Sequence, residues 1–187
     1  MKVLLINGSP HEKGCTYTAL CEVAGQLQKQ GIETELLHIG SDDVRGCAAC
    51  GGCAQSGHCV FNDDRVNEAI DKLSQADGLV IGAPVHYASP AGAMLSFLDR
   101  MFFAGSKNFA HKPGACVTSA RRAGTTASLD VLSKYLTISQ MPLVSAHYWP
   151  MVHGGSPEEV RQDAEGMQVM RALGDNMAWL LRCIEAG

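Results

Sequence analysis

Between Gly46 and Cys59 the chain reads Gly46-Cys47-Ala48-Ala49-Cys50-Gly51-Gly52-Cys53-Ala54-Gln55-Ser56-Gly57-His58-Cys59, which places four thiols at the spacing C-x2-C-x2-C-x5-C. Thiolate sulfur is a soft ligand, and small neighbours let the backbone wrap tightly. Cys47, Cys50, Cys53 and Cys59 could therefore hold a [4Fe-4S] cluster or a zinc ion, with His58 as an alternative ligand. Three cysteines at successive intervals of three favour the cluster, by analogy with ferredoxin runs. Free or reversibly paired thiols are the third reading. A different chemistry is offered by Gly8-Ser9-Pro10-His11-Glu12-Lys13-Gly14-Cys15-Thr16, which joins an apolar run to a helix start. Unpaired N–H groups and the positive end of a helix dipole make such a loop an anion site, and Ser9 and Thr16 add hydroxyls. The loop lacks both G-x-G-x-x-G and G-x-x-x-x-G-K-[ST], so a monophosphate suits it better than a dinucleotide or a triphosphate.

These loops must be carried by regular elements, and the apolar pattern supplies them. Lys2 to Asn7 reads as a strand buried on both faces, and Thr16 to Gln30 carries Leu20, Val23, Ala24 and Leu27 at helical spacing. Strands follow at Ile32–Ile39, Asp77–Ala83, Pro113–Ser119 and Pro142–Tyr148. Helices follow near Val66–Leu73, Ala91–Phe103, Thr125–Ser139 and Pro157–Glu185. Asn62, Asp63 and Asp64 offer caps for the second helix, and Ser156 followed by Pro157 opens the last. Gly166 and Gly174 are that helix's weak points. Strand and helix alternate five times, which predicts an α/β protein with a parallel sheet covered on both faces. The expected organisation is one domain over 1–187 with a cysteine-rich insertion at about 46–60.

With 46% hydrophobic and 18% charged residues, the composition is that of a folded globular protein and excludes a disordered one. A net charge of −4 gives neither nucleic acid nor anionic lipid a reason to bind. The apolar start is too short for a signal peptide, and no stretch reaches the roughly 18 apolar residues of a membrane span. Eight cysteines without an export signal then point to reduced thiols, hence to the cytoplasm. Cys15, Cys21, Cys116 and Cys183 are scattered singly and read as small buried side chains.

Taken together, Lys2-Val3-Leu4-Leu5-Ile6-Asn7-Gly8-Ser9-Pro10 with Thr16, the Cys47 to Cys59 motif, Asp63-Asp64, and Gly82-Ala83-Pro84-Val85-His86-Tyr87 resemble one family. It is the NADPH-dependent FMN reductase and iron-sulfur flavoprotein group of the flavodoxin-like superfamily, and the resemblance spans nearly the whole chain. It implies a flavodoxin-like three-layer sandwich with a five-stranded parallel sheet of order 2-1-3-4-5. In that order the switch point lies between the first and third strands, where ligands sit.

The resemblance places the FMN phosphate on Ser9, His11, Thr16, Tyr17 and Thr18. It sets the isoalloxazine edge against Pro84, Val85, His86 and Tyr87, with Ser119, Gly124 and Thr125 near the ring or the ribityl chain. Many relatives have Asn before the Thr where this chain has Cys15. Arg121 and Arg122 could face the charge of reduced flavin or a nucleotide phosphate. No catalytic acid or base is assigned, because the flavin carries the chemistry; His86 is the side chain that could serve as one. The activity implied is NAD(P)H-dependent reduction of a flavin, quinone or other small acceptor, with a possible [4Fe-4S] cluster passing single electrons. The alternative is a non-enzymatic electron carrier or redox sensor. A homodimer or homotetramer is implied too, with Phe102–Gly105 and Tyr148–Met151 as candidate contacts.

Overall fold

A computed structural model describes residues 1–41 and 43–187. Strand β1 (Lys2–Asn7) leads to helix α1 (Cys15–Lys29) and strand β2 (Glu33–His38), then to a short helix α2 (Cys53–Ser56) inside the cysteine loop and to α3 (Val66–Gln75). Strand β3 (Gly78–His86) turns into the two-residue β4 (Ser89–Pro90), and α4 (Gly92–Gly105) follows. Beyond it come β5 (Gly114–Ala120), α5 (Thr125–Ile138), β6 (Met151–His153), α6 (Pro157–Gln162) and α7 (Ala164–Ala186).

The parallel strands run in the order β2-β1-β3-β5-β6, and β4 pairs antiparallel with β3 alone. Leaving β4 aside, this is the expected 2-1-3-4-5 order. Because side chains alternate along a strand, Leu4, Ile6, Leu79, Ile81 and Cys116 face one helical layer of α3, α4 and α5. Val3, Leu5, Val80, Ala115 and Val117 face the other, made by α1, α6 and α7. Each of the buried Val, Leu and Ile side chains among them stabilises the fold by about 1.5–3 kcal/mol before entropy is counted.

Three expected elements differ. The fifth parallel strand is Met151–His153 rather than Pro142–Tyr148; only Leu143 forms an isolated bridge, to Gly114. The chain pairs at Pro142 and Val144 with Gly114, then leaves the sheet until Pro150 accepts from Thr118 N. The long last helix is broken at Asp163, whose carboxylate accepts from Gly166 N at 3.0 Å and from His153 N at 2.7 Å. A side chain that caps a second helix start ends the first. Ser156 does cap α6, accepting from Glu159 N. Finally, Pro84 to His86 continue β3 rather than forming a loop. Among the single cysteines, Cys116 is buried, Cys15 and Cys21 are half-buried and Cys183 is exposed.

One charge cluster ties the exposed edge strand β2 to its neighbours. Glu35 takes Lys2 at 2.6 Å and also Lys72 of α3. Hydrogen bonds from Lys2 first, and then from Lys72, lower the Glu35 carboxyl below its ordinary value. Its contribution is therefore complete above the unfolded carboxylate value of about 4.3 and is lost as pH falls through the lowered folded value. Glu35→Gln is expected to cost under about 1 kcal/mol near neutral pH, because solvent screens the group. Urea unfolding of both proteins near pH 7 and near pH 3 checks this, and a difference that does not shrink in acid contradicts it.

Candidate functional site

The carboxyl ends of β1, β3 and β5 meet on one rim. Gly8 N donates to Gly82 O at 2.8 Å, which ties the start of the first loop to β3. Asn7 ends β1 in register with His38 of β2 on one side and Gly82 of β3 on the other. It is fully buried. Its side-chain amide donates to Glu12 O at 3.0 Å, and its side-chain oxygen accepts from Ser9 N at 3.1 Å. One residue thus pins both legs of the loop. Ser9 Oγ accepts from His11 N at 3.1 Å, and His38 Nε2 lies 2.7 Å from Ser9 O. A carbonyl only accepts, so that His38 nitrogen carries the proton.

Helix α1 begins at Cys15 with Gly14 as its N-cap, no side-chain cap and no acidic residue in its first turn. Its leading N–H groups have no intrahelical acceptor, and the dipole of a 15-residue helix adds positive potential there. A preformed loop, free donors and the absence of nearby helical acid fit a phosphate. Thr16 is buried, and its hydroxyl lies 2.8 Å from Ser119 Oγ, joining the first loop to β5. Thr18 turns its hydroxyl back to Gly14 O at 3.1 Å. The Tyr17 phenol is held above its ordinary range, chiefly by hydrogen bonding with Cys21. Cys15 turns away from the loop: its thiol donates to Gly154 O at 3.7 Å, and burial raises it. His11 is exposed.

The Pro84 to Pro90 segment is a tight hairpin. Val85 pairs with Pro90 and His86 with Ser89, which leaves Tyr87 and Ala88 as the turn. Both are left-handed, with φ of +52° and +59°, as a two-residue type I′ turn requires. Tyr87 projects wholly into solvent, at 105% relative exposure. Gly124, at φ +98°, closes on this tip: a Cβ there would lie 2.7 Å from Ala88 Cα and 2.9 Å from Val85 Cγ1. Thr125 is buried with its hydroxyl on Met151 Sδ at 3.1 Å, whereas Arg121 and Arg122 are exposed. A roomy apolar cleft of about 540 Å³ lies elsewhere, between α5 and residues 143–150. It contains none of the rim residues.

Cys47, Cys50, Cys53 and Cys59 all line one small cavity, together with Phe61, Arg100 and Phe103. Cys47 and Cys50 are exposed and the other two half-buried. Among the described residues, no three His, Cys, Asp or Glu side chains stand in metal-binding array. The donor chemistry of four cysteines around one cavity fits a thiolate-bound cluster. His58 turns away, with Nε2 on Asp71 at 2.7 Å. Beneath the loop, Arg100 of α4 is buried, at 2% exposure. Its Nε donates to Cys59 Sγ at 3.2 Å and its Nη2 to Phe61 O at 3.0 Å; Nη1 is paired with Asp64. The adjacent Asp63 pairs with Arg45 at 3.7 Å, so both aspartates of the motif anchor arginines. At the other end of α4, a Cβ on Gly8 would lie 2.5 Å from Met94 Sδ.

A parallel sheet in this order between two helical layers, with a loop leading from its first strand to a helix N-terminus at the switch point, defines a flavodoxin-like α/β protein. The chain belongs to the NADPH-dependent FMN reductase family, whose pattern matches residues 1–156, and it is an FMN-dependent oxidoreductase. It is 28% identical to an iron-sulfur flavoprotein of Methanocaldococcus jannaschii, over 99% of this chain and 100% of that one. It is 28% identical to an iron-sulfur flavoprotein of Methanosarcina thermophila, over 99% and 97%. The crystal structure of RosB with a bound riboflavin-phosphate intermediate superposes with a TM-score of 0.80 at 16% identity, over 100% of this chain and 81% of that one. No helix among the described residues is long and apolar enough to cross a membrane.

Sequence reasoning missed Asn7, His38 and Arg100. For the first two a signal existed: a polar residue closing each of two adjacent parallel strands stands at the ligand end of the sheet. For Arg100 there was only a lone cation within the apolar run of α4.

Proposed function

We propose that the chain, read as one domain, takes electrons from NAD(P)H through FMN and delivers them to a small-molecule or protein acceptor. The flavin phosphate would sit on the N-terminus of α1, met by backbone N–H groups and by the hydroxyls and side chains of Ser9, His11, Thr16, Tyr17 and Thr18. Pro84, Val85, His86 and Tyr87 would border the ring, with Ser119, Gly124 and Thr125 beside the ribityl chain. The observation that carries this reading is the 2.8 Å contact between Thr16 and Ser119, which joins the start of α1 to the carboxyl end of β5 at one rim. When bound, FMN takes a hydride and returns electrons in pairs or singly. The protein's own part is to position it: Asn7 and His38 hold the loop, and the hairpin presents a fixed edge. No side chain is assigned as acid or base, and His86 is exposed.

Cys47, Cys50, Cys53 and Cys59 would hold a [4Fe-4S] cluster, which their shared cavity and the names of the relatives favour. The same observation favours a second reading, an electron carrier without substrate turnover. The setting is the cytoplasm, and the assembly a homodimer or homotetramer. Anaerobic purification followed by flavin, iron, sulfide and zinc quantitation tests the cofactors. Oxidation of NADPH or NADH in the presence of quinone or flavin acceptors tests the enzyme. Absence of turnover with either nucleotide supports the carrier, and failure to bind FMN at micromolar concentration removes both.

A further inference from the structure

An arginine whose side chain is wholly removed from water is costly unless its charge and all its donors are met. Arg100 has one partner of opposite charge and neutral acceptors besides, which together take four of its five N–H donors. Asp64 takes Nη1, Phe61 O takes Nη2 at 3.0 Å, and the Phe61 ring centroid lies 5.7 Å from the guanidinium carbon. Arg45 O lies 3.4 Å from Nη1. Nε is spent on Cys59 Sγ at 3.2 Å. A neutral thiol is a weak acceptor, so a buried guanidinium fits this position best when the sulfur carries negative charge. Packing alone does not account for the choice, because an apolar side chain would fill the same space against Phe103 and Ala104 without the desolvation cost.

We infer that Arg100 is a positioning residue for the cysteine loop, fixing Cys59 against α4 and offsetting the negative charge of the sulfur set when the loop holds a cluster. This rests on the proposed cluster. Hydrogen bonds to cluster sulfur and nearby positive charge both favour the reduced, more negative form. Asp64 works against that charge, so its removal acts with the opposite sign.

The test uses full-length protein purified anaerobically as wild type, Arg100→Lys, Arg100→Met and Asp64→Asn. Iron, acid-labile sulfide, FMN content and the cluster potential are measured for each. Arg100→Met is expected to shift the cluster's reduction equilibrium at least tenfold toward the oxidised form, about 59 mV lower for one electron. Arg100→Lys should give a smaller shift in the same direction, and FMN content should not change in either. Asp64→Asn is expected to move the potential upward, and it carries the test alone if the arginine variants do not fold. Wild type without iron removes the cluster reading and this inference with it. Wild type with iron, and variants whose potential equals its own, overturn the inference and leave the cluster standing.

Discussion

Asn7→Ala is expected to weaken FMN binding about 100-fold while changing the affinity for riboflavin by less than about threefold. The residue touches no ligand in this reading; it satisfies Ser9 N and Glu12 O from a fully buried position. Each of those groups, left without a partner, costs about 1–3 kcal/mol, or the loop moves to find water. Either way the N–H array at the start of α1 loses its set geometry, and about 2.7 kcal/mol of lost complementarity is a hundredfold in affinity. Riboflavin lacks the phosphate, so its binding reports only on the ring and ribityl contacts. Asn7→Asp keeps the acceptor for Ser9 N but sets a carboxylate against Glu12 O and near the anion. It should lose at least as much. Fluorescence titration with both flavins reads the effect, and equal losses for the two would place the fault in the fold rather than in the loop.

Gly124→Ala is the second large effect, a fall in melting temperature of roughly 5–15 °C. A side chain at φ +98° costs about 1–2 kcal/mol from conformation alone. The new Cβ would also lie 2.7 Å from backbone at Ala88, which cannot swing aside as a long side chain can. Together these make roughly 2–4 kcal/mol, and each kcal/mol moves the midpoint of a protein of this size by about 2–4 °C. FMN affinity should fall about tenfold as well, because the hairpin tip must shift. Gly25→Ala is the matched control: Gly25 lies within α1 with nothing inside 4 Å of a new Cβ. It should stabilise by about 0.5–1 kcal/mol. Calorimetry on the three proteins decides it, and a Gly124 variant that melts with wild type would show that the turn and its neighbour adapt freely.

What the sequence disclosed follows from how local each signal is. The run Lys2–Asn7, the Leu20–Leu27 stripe and the Ser156-Pro157 helix start are written within a few residues, so strand, helix and cap were legible; the alternation gave a parallel sheet, and the family resemblance gave its strand order. The hairpin at Tyr87-Ala88 was not, because a type I′ turn ordinarily announces itself with Asn-Gly or Asp-Gly. Here two side-chain-bearing residues are held left-handed by what surrounds them. The edge strand was misplaced for a related reason. Pro142–Tyr148 has the composition of a strand, yet it keeps only the single bridge of Leu143 to β5, and the continuous parallel pairing falls on Met151–His153. The flavin loop was readable as an anion cradle from Gly8, Ser9 and Thr16. The residue that shapes it, Asn7, owes its role to partners two and five positions away in sequence and to burial that only the sheet supplies. Arg100 is the extreme case, since Asp64 and Cys59 reach it across 36 and 41 positions.

Helix α4 meets the loop after β1 through Met94 and the cysteine loop through Arg100, and it is continuous between them. Six residues at 1.5 Å each span about 9 Å along the axis, so the helix works as a gauge block between the two proposed cofactor sites. Its length is quantised. Adding or removing one residue there would change the spacing by only about 1.5 Å but rotate Arg100 by about 100° relative to Met94, off the sulfur it serves.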